Sequence, residues 1–514
     1  MKRVLAAVAM LGLAAPAQAE WLRARSRHFV IYSDTKPDTI RQLATRLEQV
    51  DGALRAISGM KDTEESAANP VTVYVLDDLA AIRRLARNPN VGGFYQPRAT
   101  GAVAFTPRRG DGGRATDLSP QIVLFHEYAH HFLLSNSLIA YPAWLSEGYA
   151  EFVSTARFSD ESLQIGGAAN HRAYGLFADR ELPLRTLFAP GPNLSGQEMD
   201  QLYGRGWLLT HYLLLGGRPR DQLLSYISAL NKGVAPLKAA TDAFGELGAL
   251  DRELDRYLKQ RKLQAFTIGN DRLGAASIDV RPLSAGEQAL IDMRIVSTRG
   301  VDGKSAGPLY ARAVKAAQPF ASDAVVQGWL AEMAYDAGRD DEAEAAADRA
   351  LAADPKSIQA LLYKGRVRLR RAAAGSADAK AWAEARSWII KANRVDPNGA
   401  AALSLFYDSF EMERARPSKS AIAGLHRAVE LAPQDPGLRF QSARQHLIDG
   451  QLDDAKRTLR PLAFSPHVPA GNPAARLLAM VESGSTGPAA LDALAAEEKK
   501  ANDKDEKPKA SAGQ

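Results

Sequence analysis

The chain has 514 residues, 46% of them hydrophobic, with 65 basic and 59 acidic side chains, a net charge of +6, and no cysteine. The missing cysteine excludes disulfides, thiolate metal ligands and a lipid anchor at a cleavage-site cysteine, so a metal has only His, Glu and Asp to bind. The two charge signs are interspersed with no basic stripe, which argues against a nucleic-acid partner.

Lys2 and Arg3, the apolar run Val4 to Ala15 and the small residues of Ala17-Gln18-Ala19 have the form of a cleavable signal peptide over residues 1–19. The mature chain is then expected to begin at Glu20, in the periplasm or outside the cell. No later stretch offers the apolar run of a membrane span. The ~495 residues that follow suffice for roughly three domains.

Residues 20–270 read as a mixed α/β domain. His28 to Ser33 alternates and is rich in β-formers, which predicts a strand. Ile40, Leu43, Leu47, Val50, Leu54 and Ile57 recur at helical spacing. Val71 to Leu76 predicts a second strand, Gly92 and Gly93 a turn, and Ala99 to Thr106 a third strand ending at Pro107. Arg108 to Arg114 is glycine-rich and charged, as in a mobile loop.

A helix follows, with Ser119 as its cap and Pro120 in its first turn. It carries His126-Glu127-Tyr128-Ala129-His130, and Ile122, Val123, Phe125, Ala129, Phe132 and Leu133 supply its buried face. Pro142 marks the entry to the next helix, which bears Glu147 and Glu151. Leu202 to Leu215, Leu223 to Leu230 and Leu250 to Gln264 are further apolar helices. Residues 271–300 are expected to be a linker.

Residues 301–482 are alanine-rich and periodic. Asp354-Pro355, Asp396-Pro397 and Ala432-Pro433 recur every 36 to 42 residues. Counting back from each proline, alanine stands at the same two offsets: Ala343 and Ala350, Ala385 and Ala392, Ala421 and Ala428. Ala347, Ile389 and Leu425 share the offset between them, and Gly450, Ala455 and Leu459 mark a looser fourth unit. Small residues at fixed offsets let paired helices approach closely, and the pattern resembles tetratricopeptide repeats, whose helical arrays bind protein partners. Residues 483–514 end in a charged stretch without aromatics, expected to be disordered apart from a short helix around Leu491 to Lys500.

The chemistry lies in His126, Glu127 and His130. Histidines at i and i+4 lie one turn apart on one helix face, where a single tetrahedral metal accepts both. The intervening glutamate is offset around the helix, close to the metal and free to act on its bound water. Two carboxylates on the following helix, Glu147 and Glu151, are candidates for the third ligand. His131 points about 100° away from the metal face and is expected to support a ligand from behind or to pack.

The stretch Trp-Leu-Ser-Glu-Gly-Tyr-Ala-Glu, residues 144–151, resembles the Trp-Leu-Asn-Glu-Gly segment of gluzincin aminopeptidases. The order of elements over about residues 26–265 is similar to that of bacterial peptidase MA-like proteins joined to tetratricopeptide repeats. The resemblance implies an α+β gluzincin-like metallopeptidase domain followed by an all-α solenoid, and a zinc peptidase activity. It makes His126, His130 and Glu147 the zinc ligands, with Glu151 supporting a ligand histidine from behind. Glu127 becomes the general base, and Tyr203 the donor to the developing oxyanion, with His211 and His171 as alternatives. It also implies an edge strand that pairs with an extended substrate, a role the Ala99 to Thr106 strand is expected to fill.

Sixteen residues separate His130 from Glu147, a slightly shorter interval than in better-characterised relatives. No Gly-Ala-Met-Glu-Asn segment for holding a free N-terminus is present, which favours an endopeptidase over an aminopeptidase. The repeats would then recruit a protein substrate or partner. A reading of a different class makes the chain a repeat scaffold with a structural or vestigial zinc site.

Overall fold

The structure is a computed structural model. It describes residues 20–505 except 111–116, 137–138, 178–180, 192–193, 275, 376–377 and 466–470. The expected signal peptide, most of the expected mobile loop and the last nine residues lie outside the described residues.

Among the described residues nine strands form two sheets: β1 (Leu22–Arg25), β2 (Phe29–Ser33), β3 (Val71–Asp78), β4 (Phe94–Gln96), β5 (Val103–Arg109), β6 (Arg157–Phe158), β7 (Ser162–Ile165), β8 (Phe266–Gly269) and β9 (Asp279–Pro282). The larger sheet has the order β4-β5-β3-β2-β1-β9. β2, β3 and β5 run parallel, and β4, β1 and β9 are antiparallel to their neighbours. β6, β7 and β8 make a small antiparallel sheet.

One face of the large sheet packs on α1 (Pro37–Ser58) and α2 (Pro120–Ser135), with Phe29, Ile31, Leu47 and Phe125 fully buried between them. The same core continues into α3 (Ala143–Ser154) and α4 (Gly196–Leu215) through Trp144, Phe152 and Leu208. Ser195 opens α4 with a reciprocal cap: its side chain accepts from the Glu198 amide, and the Glu198 carboxylate accepts from the Ser195 amide.

The other face carries a ladder of stacked rings across four adjacent strands. Tyr32 and Tyr74 lie 5.1 Å apart, Tyr74 and Phe105 5.5 Å, and Phe105 and Phe94 4.7 Å. Part of this face is covered by α5 (Ala285–Arg299), α6 (Ala306–Ala317) and α7 (Ala324–Asp336). Leu290, Ile291, Leu309 and Trp329 share a core with Tyr74, Val103 and Phe105. The helical region and the α/β domain are therefore two sides of one sheet.

This corrects the linker expected over 271–300. Asp279–Pro282 closes the sheet beside β1, the Leu283 amide donates to the Trp21 carbonyl at 2.9 Å, and α5 begins at once. A four-residue strand has no period of its own to read, and its partner lies more than 250 residues upstream.

The helical repeats follow as packed pairs of consecutive helices: α7 with α8 (Asp340–Ala353), α9 (Ile358–Ala374) with α10 (Ala379–Val395), α11 (Ala400–Glu413) with α12 (Lys419–Leu431), and α13 (Pro436–Ile448) with α14 (Leu452–Ala463). Every alanine, leucine and isoleucine position singled out in the sequence is on the second helix of a pair, whereas Gly450 is an exposed turn residue between α13 and α14. Ala343, Ala347, Ala350, Ala385, Ile389, Ala392, Ala421, Leu425, Ala428, Ala455 and Leu459 are all at 0% exposure.

α15 (Pro473–Glu482) and α16 (Gly487–Asp505) end the array. α16 replaces most of the tail expected to be disordered, because Ala490 and Leu494 bury against Leu447, Leu477 and Leu478. Among the described residues no helix is long and apolar enough to cross a membrane.

Candidate metal centre

The helix that carries the two histidines starts where Ser119 accepts from the Ile122 amide at 3.2 Å and Pro120 takes the first turn. Its spacing puts the His126 and His130 rings 4.8 Å apart, edge to face. α3 begins after Pro142 and is buried along nearly its whole length.

α3 and α4 cross where Gly148 meets Gly206. A Cβ at Gly148 would lie 2.2 Å from the Gly206 carbonyl oxygen, and one at Gly206 would lie 2.7 Å from the Trp144 carbonyl oxygen. Only glycine allows backbones this close. The contact sets Glu147, one residue before Gly148, and Tyr203, one turn before Gly206, on the same side as the histidines.

Three donor atoms converge. His126 Nε2 and His130 Nε2 are 3.1 Å apart, and Glu147 Oε2 is 3.4 Å from each. A tetrahedral zinc with bonds of ~2.05 Å holds its ligand atoms about 3.3 Å from one another. The triangle thus fits one such ion and leaves the fourth corner open. The outer ring nitrogens are engaged elsewhere: His126 Nδ1 with Glu151 Oε1 at 3.1 Å, and His130 Nδ1 with Ser146 Oγ at 3.3 Å. A proton held on each Nδ1 frees the Nε2 lone pair for a metal.

Charge in the cluster points the same way. Burial opposes a charge on His126, but the Glu151 and Glu147 carboxylates outweigh it and raise the imidazole to about 10. Burial also opposes ionisation of Glu147 and Glu151, yet the facing imidazoles, and Arg172 for Glu151, hold both below the usual carboxylate range. Such a cluster stabilises positive charge at its centre. A divalent ion bound there would meet that demand by displacing the proton on a ligand nitrogen.

Glu151 is 1% exposed and fully occupied. It accepts from His126 Nδ1, from His171 Nε2 at 2.5 Å and from the Arg172 guanidinium at 2.5 Å. Of the two carboxylates left open by the sequence, Glu147 therefore faces the convergent nitrogens and Glu151 stands behind His126. His171, an alternative oxyanion donor, is spent on Glu151. His211, the other alternative, lies elsewhere: Nε2 donates to the Gly166 and Gln264 carbonyls, and Nδ1 accepts from Tyr257.

Tyr203 sits beside the cluster, its ring 6.1 Å from that of His126 and 4.5 Å beneath the Arg172 guanidinium. Burial, followed by the Glu147 charge, pushes its hydroxyl well above its ordinary value, so it remains a donor. Burial likewise lifts Glu127 above the usual carboxylate range, against the pull of His126 and His130. Glu127 and His130 open into a cavity of ≈ 700 Å³.

His131 is buried and held neutral, pushed down to about 3, and its Nδ1 accepts from the Tyr95 hydroxyl at 2.7 Å. That bond fastens β4 to α2. The Ala99 to Thr106 segment, expected at the sheet edge, is instead flanked on both sides, because β5 pairs with β3 and with β4. The edge belongs to Phe94–Gln96, a strand too short to show alternation.

A second group of donors, His28, Glu48 and Asp51, also lies close together. Its atoms are already engaged. His28 contacts Glu48 at 2.7 Å and Asp62 at 3.2 Å, and Asp51 accepts from Arg55 and Tyr128 at 2.6 Å each.

No family profile and no curated protein matches the chain. Solved structures are similar to parts of it, three of them as follows. One is a thermophilic TPR protein of Thermus thermophilus, with 19% identity, covering 36% of this chain and 93% of its own, at a TM-score of 0.31. The MamA RS-1 ArsTM double mutant has 15% identity, covers 35% and 95%, and gives a TM-score of 0.27. Pseudomonas aeruginosa pilF has 14% identity, covers 40% and 90%, and gives 0.31.

Proposed function

We propose that this chain is a zinc-dependent peptidase of the gluzincin type, acting in the periplasm or outside the cell. The observation that carries the reading is the triangle of His126 Nε2, His130 Nε2 and Glu147 Oε2, with Glu127 at the edge of an open cavity. Structural zinc sites are closed on four protein ligands, whereas a three-ligand site opening onto a cavity is the arrangement that hydrolysis needs. This favours an enzyme over a scaffold with a structural ion.

When bound, zinc supplies a Lewis acid that lowers the pKa of water to ≈ 7 and polarises a carbonyl. Glu127 accepts the proton of the attacking water and returns it to the leaving amine, a role for which a raised carboxylate pKa is suited. The Tyr203 hydroxyl donates to the oxygen of the cleaved carbonyl as its charge develops. Glu151, itself held by His171 and Arg172, orients His126 through Nδ1. The outer edge of β4 offers main-chain groups to an extended peptide.

Glu127→Gln removes the proton acceptor while leaving every proposed ligand in place. The variant should bind zinc like the wild type and lose cleavage of an unfolded protein such as casein. Unchanged cleavage would refute the mechanism.

A further inference from the structure

The cavity that opens from Glu127 and His130 has two walls of different origin. One comes from the α/β domain: Phe94 and Tyr95 of the edge strand, and Leu133 and Leu134 at the end of α2. The other comes from residues more than 300 positions later, including Phe440 of α13, Leu462 of α14 and Pro473 of α15. The acidic and basic side chains on the lining are Glu127, His130 and Arg439, and the rest is mostly apolar.

We propose that the last repeat helices form the far wall of the substrate cleft, and that the two walls together receive a large apolar side chain of an extended peptide beside the bond to be cut. The inference rests on the peptidase reading and names the substrate class of that site.

The distant wall is fastened in place. The Arg439 guanidinium donates to the Leu134 carbonyl at 2.9 Å, at the C-terminal turn of α2. Asp435 accepts from the Ala99 amide at 2.6 Å, just beyond the edge strand. Asn69 donates to the Leu431 carbonyl at 3.0 Å. Arg439 is 2% exposed and donates to the Pro433 carbonyl as well as to that of Leu134, so it braces the wall rather than offering a charge to a ligand.

The occupant follows from the lining and the edge. A peptide laid along β4 points alternate side chains to one side, so some of them enter the cavity. At ≈ 700 Å³ the space holds a short stretch of peptide, and its apolar surface rewards a Phe or Leu side chain over a charged or small one. The repeats then act at the scissile bond itself.

The test uses the full chain stripped of zinc with a chelator and capped octapeptide mixtures, randomised except for a central Phe, Leu, Ala or Asp. Competition anisotropy should show the Phe and Leu mixtures binding about tenfold tighter than the Ala and Asp mixtures. Leu462→Glu charges the distant wall and Ser465→Trp fills space at its rim; each should cut the preference roughly fivefold or more. Ser465 is half-buried at a helix end, so its variant is read even if Leu462→Glu fails to fold. Equal affinity for the four mixtures, or a preference that survives both substitutions, overturns the proposal. Preference without cleavage by the zinc-loaded wild type sinks the peptidase reading and leaves the cleft standing. Cleavage without preference does the reverse.

Discussion

Gly148→Ala tests whether the crossing of α3 and α4 builds the metal centre. The added Cβ would stand 2.2 Å from the Gly206 carbonyl oxygen and 2.6 Å from Thr210 Oγ1, and Cβ contacts become ordinary at 3.4 Å. The helices must separate by about 1.2 Å, against backbone that cannot swing aside as a flexible side chain would. Overpacking of this kind costs roughly 1–3 kcal/mol. A reacting group displaced by ~1 Å loses about 10²-fold in rate. Both Glu147, on the moving helix, and Tyr203, on its partner, lie within one turn of the contact. Chemical denaturation should show the loss of stability, zinc titration a weakened site, and peptide cleavage the larger fall. Wild-type values for denaturation midpoint and zinc affinity would refute the argument that this contact sets the site.

Glu147→Ala should abolish near-stoichiometric zinc measured by mass spectrometry, whereas Glu151→Ala should weaken affinity by about 10–100-fold; zinc lost only with Glu151→Ala would move the third ligand by one turn. His28 is opposed by burial but raised overall by its bond to Glu48 and the charges of Asp51 and Asp62, and Glu48, opposed likewise, is lowered overall by His28. The His28 contribution is full below its ordinary 6.5 and fades as pH rises through the higher folded value; that of Glu48 is full above its ordinary 4.5 and fades as pH falls through the lower one. The pair should therefore support the fold most between those values. Melting temperatures of wild type and His28→Gln should differ most there and converge towards alkaline pH, and a constant gap would count against the linkage. Leu494→Ala should cost roughly 2–3 kcal/mol in denaturant unfolding, as for other buried leucines; an unchanged midpoint would mean that α16 does not hold the end of the array.

Local pattern carried much of this molecule. The spacing of His126 and His130 is a property of one helix, and the structure keeps it because Ser119 and Pro120 start that helix where the sequence marks it. The repeat alanines were legible for a similar reason: a fixed offset from each proline is a local signal, and each position proved fully buried. What escaped were pairings between distant segments. β4 and β9 are three and four residues long, too short for periodicity, and each exists only because a partner strand lies beside it. No motif marks His171 and Arg172 as partners of Glu151, since the buried carboxylate alone creates the demand for them. α16 looked like a charged tail because a few apolar residues, Ala490 and Leu494 among them, dock a mostly polar helix.

By itself, then, the sequence determined the donor types, the helix face that presents two histidines, and the repeating unit of the helical array. All of these depend on spacings within a few turns of chain. Tertiary structure alone decided that His171 and Arg172 occupy Glu151, that β4 holds the sheet edge, and that the last repeats stand across the cavity from Glu127. Those outcomes depend on how helices cross and strands pair over hundreds of residues, where close contact between Gly148 and Gly206 or between Arg439 and the end of α2 settles the geometry.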